Sequence, residues 1–198
     1  MPDSLTHLKA AARKSAHEAL AGLTMEQRGS AAQAIRRRLI SMSIWNEARF
    51  VLLFAPGTDE PDIGPLAELG IQAGKLIALP RFNRDSGSYE AALVADPVAD
   101  VTTGRFGIRE PKSVCKVADL NRLDLVLVPG LAFDRHGYRL GRGKGYYDRL
   151  LAAVPGRTCG VAFDAQLISA IPVEPHDVRL NCILTPTRWH LVTGQPRF

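Results

Sequence analysis

The residues whose types and spacing most clearly suggest chemistry lie between Leu123 and Leu151, in LDLVLVPGLAFDRHGYRLGRGKGYYDRLL. After a short apolar run, glycines stand at 130, 137, 141, 143 and 145, and basic residues at 135, 139, 142 and 144. Glycine lets the backbone approach a ligand closely, while amide hydrogens, a helix N-terminus and nearby cationic side chains attract an anion. The pattern predicts a phosphate-binding loop, and the alternative is an ordinary loop with solvated charges.

Two familiar nucleotide motifs do not fit this loop. A Walker A loop has a glycine five residues before its Gly-Lys pair and Ser or Thr after the lysine. Here Tyr138 and Gly145 occupy those places. A dinucleotide fingerprint reads G-x-G-x-x-G, whereas Gly141, Gly143 and Gly145 alternate strictly. The loop is therefore neither a standard P-loop nor a standard NAD site.

Carboxylates near the loop are candidates for holding a divalent cation. Mg²⁺ takes oxygen ligands and commonly uses one or two carboxylates together with water and phosphate oxygens. Asp148 follows the glycine loop, and Asp177 precedes a later strand in VEPHDVRLN. Either could instead pair with a neighbouring arginine. His136 and His176 lack the partners of a zinc site or a catalytic triad, so we interpret them as loop residues.

The elements that must position these residues indicate an α/β fold. The apolar run at 125–128 predicts a buried parallel strand, and Tyr146, Leu150, Leu151 and Val154 have helical spacing. Further strands are predicted at 49–54, 75–79, 89–94, 157–163, 180–184 and 189–192, and short helices after 62 and at 164–170. Strands that alternate with helices favour a single three-layer α/β/α domain over residues 1–198, with a mostly parallel sheet.

Residues 1–42 are predicted to form two helices that extend this domain and pack on the sheet. Ser4 can cap a helix over about 5–20, and Thr24 with Gln27 forms a capping box for a helix to about residue 40. Lys9 and Arg13 stand four residues apart and project from one helix face. From spacing alone, this pair is interpreted as a solvated basic edge.

Two further segments are candidates for ligand binding. Residues 81–118 are the least periodic part of the chain, and a long irregular stretch in a compact domain is more often a binding loop than padding. Phe106 could offer a flat surface to an aromatic ligand or could plug the core beneath the loop. Glu60 and Asp62 follow the first strand, where they could serve a helix dipole or face a ligand.

Composition limits the class of protein. With 46% hydrophobic and 23% charged residues and no apolar run near the ~20 residues of a membrane span, the chain is typical of a soluble cytoplasmic protein. The N-terminal residues lack the apolar core of a signal peptide, and three cysteines without CxxC spacing fit a reducing compartment. A net charge of +5 favours an anionic partner. No nucleic-acid-binding signature accompanies that charge, so a small phosphorylated or carboxylated molecule is expected.

The stretch PGLAFDRHGYRLGRGKGYYDRLL resembles the signature of the 5-formyltetrahydrofolate cyclo-ligase, or 5,10-methenyltetrahydrofolate synthetase, family. Supporting matches are Lys9 with Arg13, the turn Glu60-Pro61-Asp62, and the segments GRFGIREP and GVAFDAQLISAIPVEPHDV. The resemblance covers nearly the whole chain. It implies a single three-layer α/β domain that acts on ATP and 5-formyltetrahydrofolate, with or without added glutamates. We expect a monomer that binds neither nucleic acid nor membrane.

The same resemblance implies roles for individual residues in nucleotide binding. Lys9 and Arg13 would contact ATP phosphates, which reverses the interpretation from spacing. The nucleotide loop would comprise Arg139, Leu140, Gly141, Arg142, Gly143, Lys144, Gly145, Tyr146 and Tyr147. Arg142 and Lys144 would act on the transferred phosphoryl group, and Tyr146 would lie between the two substrates, so these three are the predicted catalytic residues.

Metal and folate positions follow from the resemblance as well. Asp148 and Asp177 would hold Mg²⁺, Glu60 would hold the pterin, and Phe106 stands where the family has an aromatic residue against the folate, often tryptophan. Ile63 departs from the family, in which threonine is usual after the acidic turn. The implied reaction forms ADP, phosphate and 5,10-methenyltetrahydrofolate through a phosphorylated formyl group.

Two other functions are compatible with parts of the pattern. A folate- or nucleotide-binding paralogue could act as a sensor, although a pure binder need not retain both metal positions. An RNA-binding protein could use the basic surface, and polynucleotide binding at physiological salt without ATP turnover would favour it.

Overall fold

The computed structural model of the chain describes residues 2–104 and 107–193. Its helices are α1 (Pro2–Ala21), α2 (Met25–Ile40), α3 (Ser43–Glu47), α4 (Pro65–Gln72) and α5 (Tyr146–Leu151). Its strands are β1 (Phe50–Leu52), β2 (Leu76–Asn83), β3 (Ser88–Val94), β4 (Val101–Thr103), β5 (Arg109–Pro111), β6 (Leu125–Val128), β7 (Ala132–Asp134), β8 (Arg139–Leu140), β9 (Arg157–Val161), β10 (Leu167–Ile168), β11 (Cys182–Leu184) and β12 (Trp189–Leu191). Short 3₁₀ turns cover Leu120–Arg122 and Asp164–Gln166.

The central sheet has seven strands in the order β12-β11-β9-β6-β1-β2-β3. The five inner strands are parallel, and the two edge strands, β12 and β3, run antiparallel to their neighbours. Two smaller sheets accompany it, one with the order β10-β7-β8 and one formed by β4 and β5. The predicted mixed α/β fold with a mostly parallel sheet is confirmed.

Side chains that alternate along the inner strands build the core on both faces of the sheet. Val51, Leu125 and Leu127 face the side where α2, α3 and α4 pack. Val126 and Val128 face the other side, where α5 packs. Each such apolar side chain contributes about 1.5–3 kcal/mol by leaving water. The arrangement has three layers, as predicted.

The two N-terminal helices cover different sheets. The capping box of α2 is present, because the Thr24 hydroxyl accepts the Gln27 N–H at 3.1 Å and the Gln27 side chain accepts the Thr24 N–H at 2.9 Å. Helix α2 packs on the central sheet, whereas α1 buries Ala16 and Leu20 against the three-stranded sheet. The predicted start of α1 at about Leu5, with Ser4 as its cap, is wrong, since the helix already includes Pro2, a residue type suited to a first turn.

Two predicted boundaries are wrong because tertiary pairing prevails over local pattern. Strand β2 continues through Pro80, where proline is tolerated because β1 pairs with β2 only as far as Ala78. The predicted helix at 164–170 is a 3₁₀ turn followed by β10. There the Gln166 side chain binds the N–H of Phe163 and the carbonyl of Gly130 instead of continuing a helix.

The two segments predicted to be loops contain short strands. The irregular 81–118 stretch holds the β4–β5 hairpin as well as the end of β2, and the glycine-rich stretch holds the β7–β8 hairpin. Strands of two or three residues have too little periodicity to be recognised from sequence. The predicted strands at 49–54, 157–163, 180–184 and 189–192 exist but are shorter at their ends. In the part of the chain that the structure describes, no helix is both long and apolar enough to cross a membrane.

Candidate active site

A cavity of about 670 Å³ opens at the carboxyl ends of the parallel strands. The chain leaves β1 toward β2 on one side of the sheet and later returns to place β6 on the other side of β1. Open α/β sheets bind ligands at such a switch point. The segments that follow β1 and β6, including Gly57 and Gly130, line the cavity. Sheet order therefore creates this crevice.

The cavity brings together all the predicted site residues that the structure describes. They come from α1, from the segment after β1, from the stretch that runs from β8 into α5, and from the loop before β11. They are Lys9, Arg13, Glu60, Arg139, Leu140, Gly141, Arg142, Gly143, Lys144, Gly145, Tyr146, Tyr147, Asp148 and Asp177. Phe106 lies outside the described residues, and its neighbours Gly107 and Ile108 line the cavity.

Helix α1 lies against the glycine loop. The Arg13 Nε donates to the carbonyl of Gly141 at 3.0 Å, and its guanidinium lies 3.4 Å from where a Cβ on Gly143 would be. Gly143 has a φ of +91°, which favours glycine. Because α5 has only six residues, its dipole is a weak source of positive potential. The exposed Arg142 and Lys144 supply charge instead.

Arg139 and Asp148 form a buried ion pair at the base of the loop. The Arg139 Nη2 lies 2.6 Å from Asp148 Oδ1, and the guanidinium carbon lies 5.6 Å from the centre of the Tyr147 ring. The Nε of Arg139 is buried without an acceptor among the described residues. Arg139 thus belongs to a strand and ties β8 to α5. Pairing of Asp148 with arginine, one of the alternatives left open by the sequence, is present.

Lys9 joins α1 to the loop before β11 through two carboxylates. Its Nζ lies 2.7 Å from an oxygen of Glu174 and 2.7 Å from Asp177 Oδ2. Burial alone would lower the pKa of Lys9, but hydrogen bonds to both carboxylates outweigh it and raise that pKa. Burial likewise opposes ionisation of Asp177, and the Lys9 hydrogen bond prevails and lowers the Asp177 pKa. The solvated basic edge predicted from spacing is wrong for Lys9, which is buried.

Glu174 and His176 were not predicted from sequence as metal ligands. With Asp177 they form a group whose possible ligand atoms all lie within 4.8 Å of one another. The signal was present in VEPHDV, where these three residues occur within four positions. Asp148 lies outside this compact group, although it lines the same cavity. Mg²⁺ prefers oxygen ligands, so carboxylates beside a basic glycine-rich loop suit this cation.

Glu60 has hydrogen-bonding partners within its own turn. One oxygen accepts the Gly57 N–H at 2.8 Å, and the other lies 3.7 Å from an Arg142 nitrogen. Burial raises the pKa of Glu60, and the Gly57 N–H and Arg142 offset part of that rise. Burial, followed by the charge of Glu60, raises the pKa of the Tyr147 hydroxyl, so Tyr147 stays neutral. The pair provides polar groups on a largely water-excluded wall.

Aromatic rings line another wall. Tyr146 makes edge-to-face contacts with Tyr89 at 5.2 Å and with Phe82 at 5.6 Å between ring centres. Arg149 lies 5.2 Å from the centre of the Tyr146 ring. Tyr89 lines the cavity and was not predicted as a site residue, because its strand carries no motif. A flat heterocyclic ligand would find complementary surfaces here.

Comparisons with known proteins agree with one another. The model of the 5-formyltetrahydrofolate cyclo-ligase family matches residues 6–186. The Escherichia coli 5-formyltetrahydrofolate cyclo-ligase is 35% identical over 84% of this chain and 93% of its own length. The Mycolicibacterium smegmatis enzyme of the same name is 36% identical over 79% of this chain and 82% of its own length.

One solved structure is similar to this chain over nearly its whole length. The structure of Aquifex aeolicus 5,10-methenyltetrahydrofolate synthetase has a TM-score of 0.84 and 31% sequence identity, covering 96% of each chain. A Mycoplasma pneumoniae 5,10-methenyltetrahydrofolate synthetase, at 21% identity and a TM-score of 0.71, shares the fold. Since the family model matches most of the chain, two curated relatives are 35–36% identical to it and a solved structure shares its fold, this chain is an enzyme that belongs to the 5-formyltetrahydrofolate cyclo-ligase family.

Proposed function

We propose that this chain catalyses the ATP-dependent closure of 5-formyltetrahydrofolate to 5,10-methenyltetrahydrofolate, with release of ADP and phosphate. The observation that carries the proposal is one cavity that joins a basic glycine loop, two sets of carboxylates and an aromatic wall at the switch point of the sheet. The family supports the same activity.

The reaction begins with phosphoryl transfer. The formyl oxygen attacks the γ-phosphorus of ATP, the bond to the β-phosphate oxygen breaks, and ADP leaves. N10 of the folate then attacks the activated formyl carbon and loses its proton. The bond between that carbon and the former formyl oxygen breaks, phosphate departs with this oxygen, and the ring closes. No protein nucleophile is needed, since the residues have to orient two ligands and neutralise charge.

The residues of the glycine loop suit this task. Arg142 and Lys144 would stabilise the charge that spreads over the phosphoryl oxygens during transfer. Arg13 would extend the positive surface from α1, since its guanidinium already lies against Gly143. Tyr146 stands between the loop and Tyr89, where it would separate nucleotide from folate.

Magnesium would bind at the carboxylates of the cavity. Asp177, with Glu174 beside it, and Asp148 offer oxygen ligands, and the cation would draw charge from the phosphates. Lys9 contacts both Glu174 and Asp177, and Arg139 contacts Asp148. These ion pairs hold the three carboxylate side chains at the wall of the cavity.

The direct test mixes the protein with ATP, Mg²⁺ and 5-formyltetrahydrofolate and follows the methenyl chromophore. Product formation that requires both ATP and Mg²⁺ is expected, with one ADP released for each product. Binding of both ligands without product would favour a sensor, and binding of polynucleotide without turnover would favour an RNA-binding protein. Either outcome would overturn the proposal.

A further inference from the structure

Glu110, on β5, lines the cavity and carries a buried carboxylate oxygen that has no donor among the described residues. The residue is only 7% exposed and lines the cavity. Its Oε2 accepts the backbone N–H of Phe82 at 3.2 Å. Its Oε1 is buried and has no donor within residues 2–104 and 107–193. A buried polar atom left unpaired costs about 1–3 kcal/mol, so this oxygen points to a donor that arrives with a ligand.

The surrounding backbone holds the side chain in this position. Glu110 pairs with Thr102 across the β4–β5 hairpin, which fixes its strand. Gly104 lies so close that a Cβ there would collide with the Glu110 carboxyl group. The carboxylate is therefore packed closely against the backbone of Gly104. The described residues form no ion pair with Glu110.

Glu60, the acidic residue predicted from the family resemblance to hold the pterin, differs from Glu110 because both of its oxygens have protein neighbours. Its Oε2 accepts the Gly57 N–H, and its Oε1 lies 3.7 Å from the Arg142 guanidinium. Both Glu60 oxygens therefore already have cationic or N–H neighbours. Of these two carboxylates, Glu110 is the one with an oxygen that has neither a hydrogen-bond donor nor an ion-pair partner in the described part of the chain.

The position of Glu110 favours a ring with N–H groups over a phosphate. Glu110 hydrogen-bonds to β2, and the uncharged Pro80, Tyr89 and Ile108 line the cavity with it. The adjacent Arg109 also lines the cavity, but its guanidinium donates to the Pro97 carbonyl at 2.9 Å. The cationic Arg13 lies at the glycine loop, where phosphate is expected. A carboxylate repels phosphate but accepts hydrogen bonds well from an aminopyrimidinone ring.

We propose that Glu110 is a folate-binding residue, whose Oε1 accepts an N–H of the pterin ring of 5-formyltetrahydrofolate. This inference rests on the proposed function and names a recognition contact within it. Glu110 would align the pterin on the β2–β5 side of the cavity, while the formyl group faces the glycine loop.

The substitution Glu110→Gln tests this contact with little change in size. Glutamine offers one acceptor oxygen, so it cannot satisfy both the Phe82 N–H and a pterin N–H. Steady-state kinetics should vary 5-formyltetrahydrofolate at saturating Mg-ATP, and then the reverse. The expected result is a roughly 10- to 100-fold higher KM for 5-formyltetrahydrofolate, with the KM for ATP within about twofold of wild type.

A thermal measurement separates binding from folding. Because Oε1 has no donor among the described residues, Glu110→Gln should leave the Tm measured without ligand nearly unchanged. The rise in Tm caused by 5-formyltetrahydrofolate should shrink, and the rise caused by Mg-ATP should remain. The matched control is Glu90→Gln on β3, which breaks the 2.6 Å ion pair with Arg81 outside the cavity lining. That control should lower Tm without a selective rise in the KM for folate.

The outcomes distinguish this inference from the function on which it rests. If wild type forms product and Glu110→Gln keeps the wild-type KM for folate, the assignment of Glu110 is wrong and the proposed function stands. A rise in the KM for ATP alone would indicate that Glu110 contacts adenine and not the pterin, and it would overturn the assignment. Equal rises in both KM values with a lower Tm would indicate a structural role and would also overturn it. A wild-type protein without product would overturn the proposed function first.

Discussion

Single side chains of the glycine loop carry the chemistry that we propose, and they differ in how firmly the protein holds them. Lys144 and Arg142 are exposed on the cavity wall, whereas Arg139 is buried in a strand and bound to Asp148. An exposed cation can follow a moving phosphoryl group, while a buried ion pair positions its neighbours. The loop thus combines two exposed cations, Arg142 and Lys144, with a buried ion pair that fixes its position.

Lys144→Ala should lower kcat by roughly 10²–10³-fold, because the lost charge stabilises the phosphoryl group during transfer. The KM for 5-formyltetrahydrofolate should change much less. Steady-state kinetics measure both constants, and Lys112→Ala, an exposed lysine that does not line the cavity, is the control. An unchanged kcat in Lys144→Ala would remove this lysine from the mechanism.

Asp148→Asn should raise the Mg²⁺ concentration for half-maximal activity by about tenfold, since an amide is a poorer Mg²⁺ ligand than a carboxylate. The variant also loses the ion pair with Arg139, so its Tm should fall. Magnesium titrations of activity decide between the two roles. If the titrations of variant and wild type coincide while the Tm falls, Asp148 only holds Arg139.

At the scale of elements, the β7–β8 hairpin supports the site. Its turn is closed by Asp134, whose Oδ1 accepts the N–H groups of His136 and Tyr138. Gly137 in this turn has a φ of +87°, and its carbonyl accepts the N–H of Leu180 at the approach to β11. The hairpin thereby connects the glycine loop with the segment that carries Asp177.

Gly137→Ala should lower the free energy of unfolding by about 3 kcal/mol. A left-handed φ costs about 1–2 kcal/mol for alanine. The new Cβ would also lie 2.7 Å from the Leu180 carbonyl oxygen, which adds an overpacking cost of about 1–3 kcal/mol. Urea unfolding measures the change.

Gly87→Ala in the β2–β3 hairpin is the matched control for this prediction. Gly87 also has a positive φ, of +63°, but its Cβ would meet no atom within 4 Å. It should therefore cost only the backbone term of about 1–2 kcal/mol. Equal losses in the two variants would show that the contact with Leu180 does not matter.

At the scale of the whole molecule, Lys9 connects parts of the chain that are far apart in sequence. Its carboxylate partners lie 165 and 168 positions away, and together they dock α1 beside the cavity. The arrangement makes the N-terminal helix a wall of the site. It also links the stability of the fold to the ionisation of groups that we expect at the metal position.

Asp177→Asn should lower the free energy of unfolding at pH 7 by about 1–3 kcal/mol, the range for a charged hydrogen bond. The Asp177 pKa is lowered in the folded protein, so its contribution is present above the unfolded pKa of about 3.9 and is lost as pH falls below it. The raised Lys9 pKa preserves the pair up to at least about pH 10.4.

The measurement is urea unfolding of wild type and Asp177→Asn across pH. The difference between the two proteins should be constant from about pH 6 to 9 and should diminish below about pH 4. Asp85→Asn, at an exposed aspartate of the β2–β3 hairpin, should stay within about 0.5 kcal/mol of wild type. A difference between wild type and Asp177→Asn that persists unchanged into acid would contradict the ion-pair account.

The sequence by itself determined the class of fold, the main inner strands and a contiguous part of the site. An apolar run such as 125–128 has to be buried in any fold that the chain adopts. The residues from Arg139 to Asp148 stay near one another because they are close in the chain. Only the tertiary structure decided which distant side chains meet. It paired Lys9 with Glu174 and Asp177, and it brought Tyr89 and Glu110 into the cavity. Periodicity is a local property of the chain, whereas ion pairs, short hairpins and an unpaired carboxylate oxygen depend on the order of strands in the sheet.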